Sequence, residues 1–292
     1  MPYKPHVSNE CCTPLSDWSV LEVGGADAAA FLQAQTMNDA RALAPGTWHW
    51  NGWLTPKGRV IALFAVLHAE PGRYLLACPD MPAGELAAAL RRFVFRSKLT
   101  LVADGSLVAA AGPGIDGARG NQAFVVEGAF ALDFGGEGGA RTLWLLAKDA
   151  PALGAADPDV AAAWRSADVA HGLPRLEAAQ RGAWTPQMLS LGRLAAFSLR
   201  KGCYPGQEIV ARTHYLGQAK RGLARLAGAG LAPGMAVASD GQPAGTVICV
   251  TGSDEALAVL GGDAGNALSA VLPDGTAVPL QRLPLLDGLA RG

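Results

Sequence analysis

The stretch "RKGCYPGQEIV", residues 200–210, lies where the character of the chain changes. Before it, candidate helices and strands alternate, whereas from residue 218 onward short strand candidates are separated only by Gly, Pro and Asp-Gly turns. A run of this kind is typical of a small β-barrel or sandwich. The stretch therefore divides an α+β region from a β-only region, and we expect it near a domain interface, where ligand clefts are common.

The whole chain has 292 residues, which is more than one hydrophobic core usually supports, so two or three packed units are expected. Its formal net charge of -1 provides no general attraction to nucleic acid or to an anionic membrane, and we expect neither as a direct partner. The apolar runs are too short to span a bilayer and the start lacks a signal peptide, which predicts a soluble cytoplasmic protein. The odd number of scattered cysteines, five, also favours a reducing compartment.

The region before the motif predicts strands paired in hairpins with a few helices between them. Apolar periodicity predicts helices over 26–40, 84–95 and 157–172, and strands at 19–23, 47–54, 59–68 and 73–79. This pattern indicates an α+β arrangement and not a strict βαβ repeat. We predict a tail over 1–13, an α+β region of two subdomains over 14–217 with a split near 110, and a C-terminal β-barrel over 218–292.

An aromatic cluster occupies one of these strands. Alternation places Trp48 and Trp50 on one face, and His49, Asn51 and Trp53 on the other. Cross-strand aromatic packing in a core explains such a cluster, and so does a wall for a flat heteroaromatic ligand. The sequence leaves both interpretations open.

The segment around the motif is locally positive. Its basic residues face a single acid, Glu208, so an anionic partner is expected there; they are Arg200, Lys201, Arg212, Lys220, Arg221 and Arg225. A helix predicted over "QEIVARTH" would place Cys203 just before its N-terminus, where the helix dipole and nearby cations favour a thiolate. An inert thiol and a solvated surface lysine are the alternatives to a functional pair.

The octapeptide "KGCYPGQE", residues 201–208, resembles the signature of the YgfZ family of folate-binding proteins, relatives of the aminomethyltransferase (T-protein) of the glycine cleavage system. The surrounding block 184–223 is similar to the family's central block. The segments "FLQAQTMNDARAL" (31–43) and "RRFVFRSKLTL" (91–101) are similar to its N-terminal helix and to its helix-to-strand junction. The resemblance covers most of the chain.

The resemblance implies two interleaved α+β subdomains and a C-terminal β-barrel in a ring-like arrangement around a tetrahydrofolate pocket. It also implies a role in assembly or repair of iron-sulfur clusters in client enzymes, including tRNA-modifying ones, with a transient iron-sulfur contact. Lys201 and Cys203 match the reactive positions of the family's motif. The residues expected to contact folate or a derivative are Lys201, Tyr204, Gly206, Gln207, Glu208 and Arg212, with Trp50 and Asn51 from the aromatic strand.

One departure bears on the activity. In the aminomethyltransferases the hairpin matching "LTPKGRVIALF" (54–64) carries an Asp that supports methylene transfer, whereas Ala62 and Leu63 occupy that neighbourhood here. Neither side chain can act as an acid or base. We therefore place a folate-dependent aminomethyltransferase second, and a non-catalytic partner-binding module third.

Overall fold

The first sheet of the structure is antiparallel. The structure is a computed structural model that describes residues 11–217, 220–252 and 254–291. The strands of the first sheet lie side by side in the order β3 (Thr47–Leu54), β4 (Val60–Glu70), β5 (Arg73–Pro79), β2 (Trp18–Gly24) and β6 (Thr100–Val102). Helices α1 (Ala28–Gln35) and α2 (Ala83–Arg91) cover one face. Both faces of β4 are buried, because Phe64 and Val66 join the helical side and Ala65 and Leu67 join the opposite core.

The second sheet is also antiparallel and packs against the free face of the first. Its order is β1 (Thr13–Pro14), β7 (Leu107–Gly112), β10 (Thr142–Ala147), β9 (Ala129–Asp133) and β8 (Phe124–Val126), and helix α3 (Pro158–Ala170) follows it. Residues of both sheets form one apolar core. At its centre Trp48 stacks on Phe134 with ring centroids 5.0 Å apart, and Trp164 of α3 packs on the same ring.

The third unit is the β-barrel that the sequence predicts. Helix α4 (Gln207–Leu216) precedes it, and its strands close in the order β11 (Arg221–Ala227), β14 (Glu255–Gly261), β13 (Gln242–Val250), β12 (Ala236–Ser239), β15 (Leu268–Val271) and β16 (Ala277–Leu283). Alternate residues such as Leu226, Val237 and Val247 fill its interior. The boundary predicted at 218 lies outside the described residues, since 218 and 219 are not among them.

The predicted helices are present, but two of them end earlier than periodicity indicated. The helix predicted over 26–40 ends at Gln35. It ends there because two of the following N–H groups bond to strand β3: the N–H of Met37 donates to the carbonyl of Gly52, and the N–H of Asn38 donates to the side chain of Asn51. The helix predicted over 84–95 ends at Arg91 and continues only as turns. Within the described ranges, no helix combines the length and apolarity needed to cross a membrane.

Of the tail predicted over 1–13, only residues 11–13 lie in the described part of the chain. Cys12 is fully buried against Trp144, and Thr13 pairs with Ala111 of β7. Thr13 and Pro14 precede every strand of the first sheet in the sequence, yet they belong to the second sheet. The two units are therefore interleaved along the chain. The chain passes from one sheet to the other between Val102 and Leu107, a few residues before the predicted split near 110.

A buried arginine joins the first sheet to the segment after α3. The side chain of Arg175 is fully buried and forms ion pairs with Asp17, Asp80 and Asp168. Asp17 and Asp80 flank the paired ends of β2 and β5, and Asp168 lies in the last turn of α3. Since a buried charge requires close partners, this cluster fixes α3 and the chain that follows it onto the sheet.

Candidate functional site

The motif loop, which we define as residues 198–206, rests on the turn between β3 and β4. Gly206 precedes α4 with φ of +82°, and an added Cβ would lie 2.6 Å from the carbonyl oxygen of Thr55 and 2.7 Å from Cα of Gly58. Only glycine fits this combination of left-handed backbone and close approach. The glycine predicted to contact folate therefore docks the loop on the hairpin.

Lys201 lies inside the loop, with 5% of its surface exposed. Its Nζ donates to the main-chain carbonyls of Thr36 and Asn38, 2.9 Å from the latter, and lies 5.0 Å from the centroid of the Tyr204 ring. Burial lowers the pKa of Lys201 to about 8, and the negative charge of Asp39 acts in the opposite direction. Lys201 thus connects the motif loop to the segment after α1, some 165 positions earlier in the chain.

Asn51 holds the same segment from the other side. Its Oδ1 accepts from the backbone N–H groups of Asn38 and Gly52, each at 2.8 Å, and its Nδ2 lies 3.3 Å from Nε2 of His49. Asn38 in turn donates through its side chain to the carbonyls of Trp50 and Ala195. The segment 36–38 is therefore fixed between β3 and the chain that leads into the motif loop.

A cavity of about 630 Å³ opens next to this network. Its deep wall includes His49, Asn38 and Asp39, and its outer part includes the exposed side chains of Arg200 and Tyr215. Burial lowers the pKa of His49 to about 4, and the positive charge of Lys201 contributes in the same direction. The remaining lining residues are Ala42, Leu43, Thr47, Asn121, Gly192, Ala195, Phe197, Ser198, Leu199 and His214.

The predicted site residues lie around this cavity instead of on its wall. Cys203, Glu208 and Arg212 are exposed, and Gln207 donates through Nε2 to the carbonyl of Lys201 at 3.2 Å. Tyr204 is buried, and burial raises its pKa to about 12. Among the described residues, the cavity lining contains none of the side chains predicted to contact folate.

The aromatic strand divides as alternation predicts, with the two faces in different surroundings. Trp48 and Trp50 lie in the core between the sheets, where Trp50 donates from Nε1 to the carbonyl of Leu289 at 2.9 Å. Trp53 packs in the core beneath the helices. Trp50 therefore has no face left for a ligand, and of this strand only Thr47 and His49 reach the cavity.

The expectation for Lys201 also changes. Its ammonium is turned inward to the carbonyls of Thr36 and Asn38. Of the two neighbouring cations Arg200 and Lys201, only Arg200 therefore remains at the surface. The sequence contained one signal for cavity-lining residues that were not among the predicted folate contacts. Asn38 and Asp39 lie within "FLQAQTMNDARAL", the segment that already resembled the family.

The described fold is that of a known class of protein. The crystal structure of glycine cleavage system aminomethyltransferase T from Bartonella henselae superposes with a TM-score of 0.74 over 96% of this chain and 86% of that chain, at 16% sequence identity. The chain therefore has the aminomethyltransferase fold, with its two α+β units and its closed barrel.

Sequence comparison finds relatives over most of the chain. A protein of Aliivibrio fischeri named tRNA-modifying protein YgfZ is 27% identical over 274 residues, which cover 85% of this chain and 84% of the relative. One of the same name from Vibrio vulnificus is 29% identical over 226 residues, covering 74% and 69%. No protein-family profile matches the chain. The resemblance to the YgfZ family is confirmed, and the chain is a relative of these proteins.

Proposed function

We propose that the chain binds tetrahydrofolate or a derivative of it in the cavity, and that it acts as an accessory factor for assembly or repair of iron-sulfur clusters in client enzymes. Enzymes that modify tRNA are among the proposed clients, in keeping with the name of the relatives. The observation that carries the proposal is the cavity of about 630 Å³ beside the motif loop.

The lining residues fit a reduced folate. The volume lies within the range of roughly 300–1,000 Å³ for small-molecule sites. Phe197 offers an aromatic face, and the half-buried carboxylate of Asp39 is an acceptor for the N–H groups of a pterin. Arg200 at the mouth is a partner for the carboxylates of a glutamate tail. When bound, a reduced folate supplies a carrier for one-carbon units.

Cys203 is the residue to which we assign the contact with iron-sulfur chemistry. It is exposed, whereas the cysteines at positions 12, 78 and 249 are buried. Thiolates are the usual ligands of iron-sulfur clusters, so an exposed thiol near a folate site can contact a cluster or a client transiently. The preceding Gly202 is also exposed and has no side chain, and the side chain of Lys201 is turned inward to Thr36 and Asn38.

Titration calorimetry with tetrahydrofolate tests the binding step. Wild type and Cys203→Ala should bind alike, whereas Phe197→Ala and Arg200→Ala should each bind about tenfold more weakly, because each loses one lining contact. Arg212→Ala is the matched control for Arg200→Ala, since Arg212 is exposed but does not line the cavity. A folded wild type that binds no folate would contradict the proposal.

The iron-sulfur step has its own test in cells. Deletion of the gene should lower the activity of cluster-containing enzymes, wild type should restore it, and Cys203→Ala should not. Cys78→Ala is the control for losing a thiol, because Cys78 is buried. Full restoration by Cys203→Ala would contradict the assigned role of this cysteine.

Aminomethyl transfer is the second candidate, and one residue favours it. Ala62 and Leu63 are buried and carry no ionisable group, but the Asp39 carboxylate lines the cavity. Turnover of tetrahydrofolate with an aminomethyl donor, lost in Asp39→Asn and unchanged in Cys203→Ala, would favour this candidate over the first. A folded protein without folate binding would instead favour a partner-binding module.

A further inference from the structure

The side chain of His49 has a proton position that its neighbours determine. The Oδ1 atom of Asn51 accepts from two backbone N–H groups, those of Asn38 and Gly52, so this atom is the amide oxygen. The atom that faces His49 is therefore the amide nitrogen of Asn51, which carries only donors. Because Nε2 of His49 lies 3.3 Å from that nitrogen, Nε2 must be the acceptor.

It follows that His49 is a neutral imidazole with its proton on Nδ1. Nδ1 has no hydrogen-bonding partner among the described residues, and His49 lines the cavity while only 7% of its surface is exposed. The burial that lowers the pKa of His49 to about 4 keeps the ring neutral at physiological pH. A single N–H donor with a fixed orientation is thus available at the deep wall of the cavity.

We propose that His49 is a specificity-determining residue, whose Nδ1–H donates a hydrogen bond to a carbonyl-type oxygen of the ligand; for a folate this oxygen is the 4-oxo group of the pterin. This assignment rests on the proposed function, because it takes the occupant of the cavity to be a folate. A ligand with an amino group at the same position would place a donor against a donor. Both N–H groups would then be buried without acceptors, which is costly.

The binding test compares tetrahydrofolate with its 4-amino analogue by titration calorimetry. Wild type should prefer the 4-oxo ligand by about 10-fold to 100-fold, the range expected for one buried hydrogen bond gained or lost. His49→Leu removes the donor and should bring the ratio of the two dissociation constants close to one. His49→Asn places an amide nitrogen near the position of Nδ1 and should retain much of the preference.

The outcomes separate this inference from the proposed function. Failure of wild type to bind either ligand overturns the proposed function, and the assignment of the 4-oxo group with it. Binding of tetrahydrofolate with the same preference in wild type and His49→Leu overturns the inference alone. Loss of the preference in both His49→Leu and His49→Asn also counts against it, because a donor would then not be the determining feature.

A second measurement does not depend on any ligand. The ¹⁵N chemical shifts of the His49 ring, recorded by NMR, distinguish a protonated Nδ1 from a protonated Nε2. We expect the neutral form protonated on Nδ1 between pH 5 and 8 in wild type, and a shift of the proton to Nε2 in Asn51→Asp, where a carboxylate oxygen would face the ring. A proton on Nε2 in wild type would overturn the inference.

Discussion

Lys201 is a buried cation whose hydrogen-bonding partners are two main-chain oxygens and not a carboxylate. Burial is therefore the main influence on the pKa of Lys201, and it lowers this pKa to about 8 from an ordinary value of 10.5. The motif lysine has a structural task that is visible without any ligand, since it holds the segment that carries Asn38 and Asp39 at the cavity. Any role in binding or catalysis would be additional to this one.

The lowered pKa makes the stability of the protein depend on pH. Below about pH 8 the folded and unfolded chains both bind the lysine proton, and between about pH 8 and 10.5 only the unfolded chain does. The free energy of unfolding of wild type should therefore rise with pH across this window relative to Lys201→Met, by at most about 1.4 kcal/mol per pH unit. Urea titrations at several pH values measure the difference between the two proteins.

Lys57→Met is the control for this comparison, because Lys57 is exposed in the turn between β3 and β4. Its stability curve should run parallel to that of wild type from pH 7 to 10. A Lys201→Met curve that is also parallel to wild type would show that the ammonium is not desolvated as described.

At the scale of elements, the contact between the motif loop and the β3–β4 turn depends on a glycine. Gly206→Ala would force a side chain into a left-handed backbone and against Thr55 and Gly58. We expect the free energy of unfolding to fall by about 2–4 kcal/mol, the sum of backbone strain and overpacking. Urea unfolding followed by circular dichroism gives the value.

The same motif supplies the matched control. Gly202 has no heavy atom within 4 Å of an added Cβ and lacks a left-handed backbone. Gly202→Ala should therefore change the free energy of unfolding by less than about 1 kcal/mol. Similar losses for the two variants would mean that the loop does not rest on the hairpin through Gly206.

Much of this element structure could be predicted from the sequence, because periodicity and turn residues are local signals. The faces of β3, the helix after the motif and the closed barrel follow from such signals. The cavity lining does not, since it depends on which distant segments meet. Asn38 reaches the carbonyl of Ala195 because an amide requires a partner when buried, and no spacing pattern encodes that partner.

At the scale of the whole molecule, Arg175 and its three carboxylates connect elements that local signals treat as separate. Replacing Arg175 with Leu would leave Asp80 with Arg165, and Asp168 with Arg141, as the remaining arginine partner. Because each of these carboxylates keeps one arginine, we expect the free energy of unfolding to fall by about 3 kcal/mol, the lower end of the usual cost of breaking a buried ion pair from one side. Chemical denaturation measures the loss.

A surface ion pair provides the comparison. Arg193 pairs with Asp287, whose side chain is 74% exposed, so Asp287→Ala should cost no more than about 1 kcal/mol. If Arg175→Leu costs no more than Asp287→Ala, the buried cluster does not secure the fold as described.

The order of these residues along the chain has a consequence for biosynthesis. The acids at positions 17, 80 and 168 all leave the ribosome before their shared guanidinium, which arrives only with residue 175. A nascent chain shorter than this has only Arg141 and Arg165 to pair with these carboxylates, and the contact between the first sheet and α3 is completed only afterwards. Stalled chains released before residue 175 should therefore be far more sensitive to protease than chains released shortly after it.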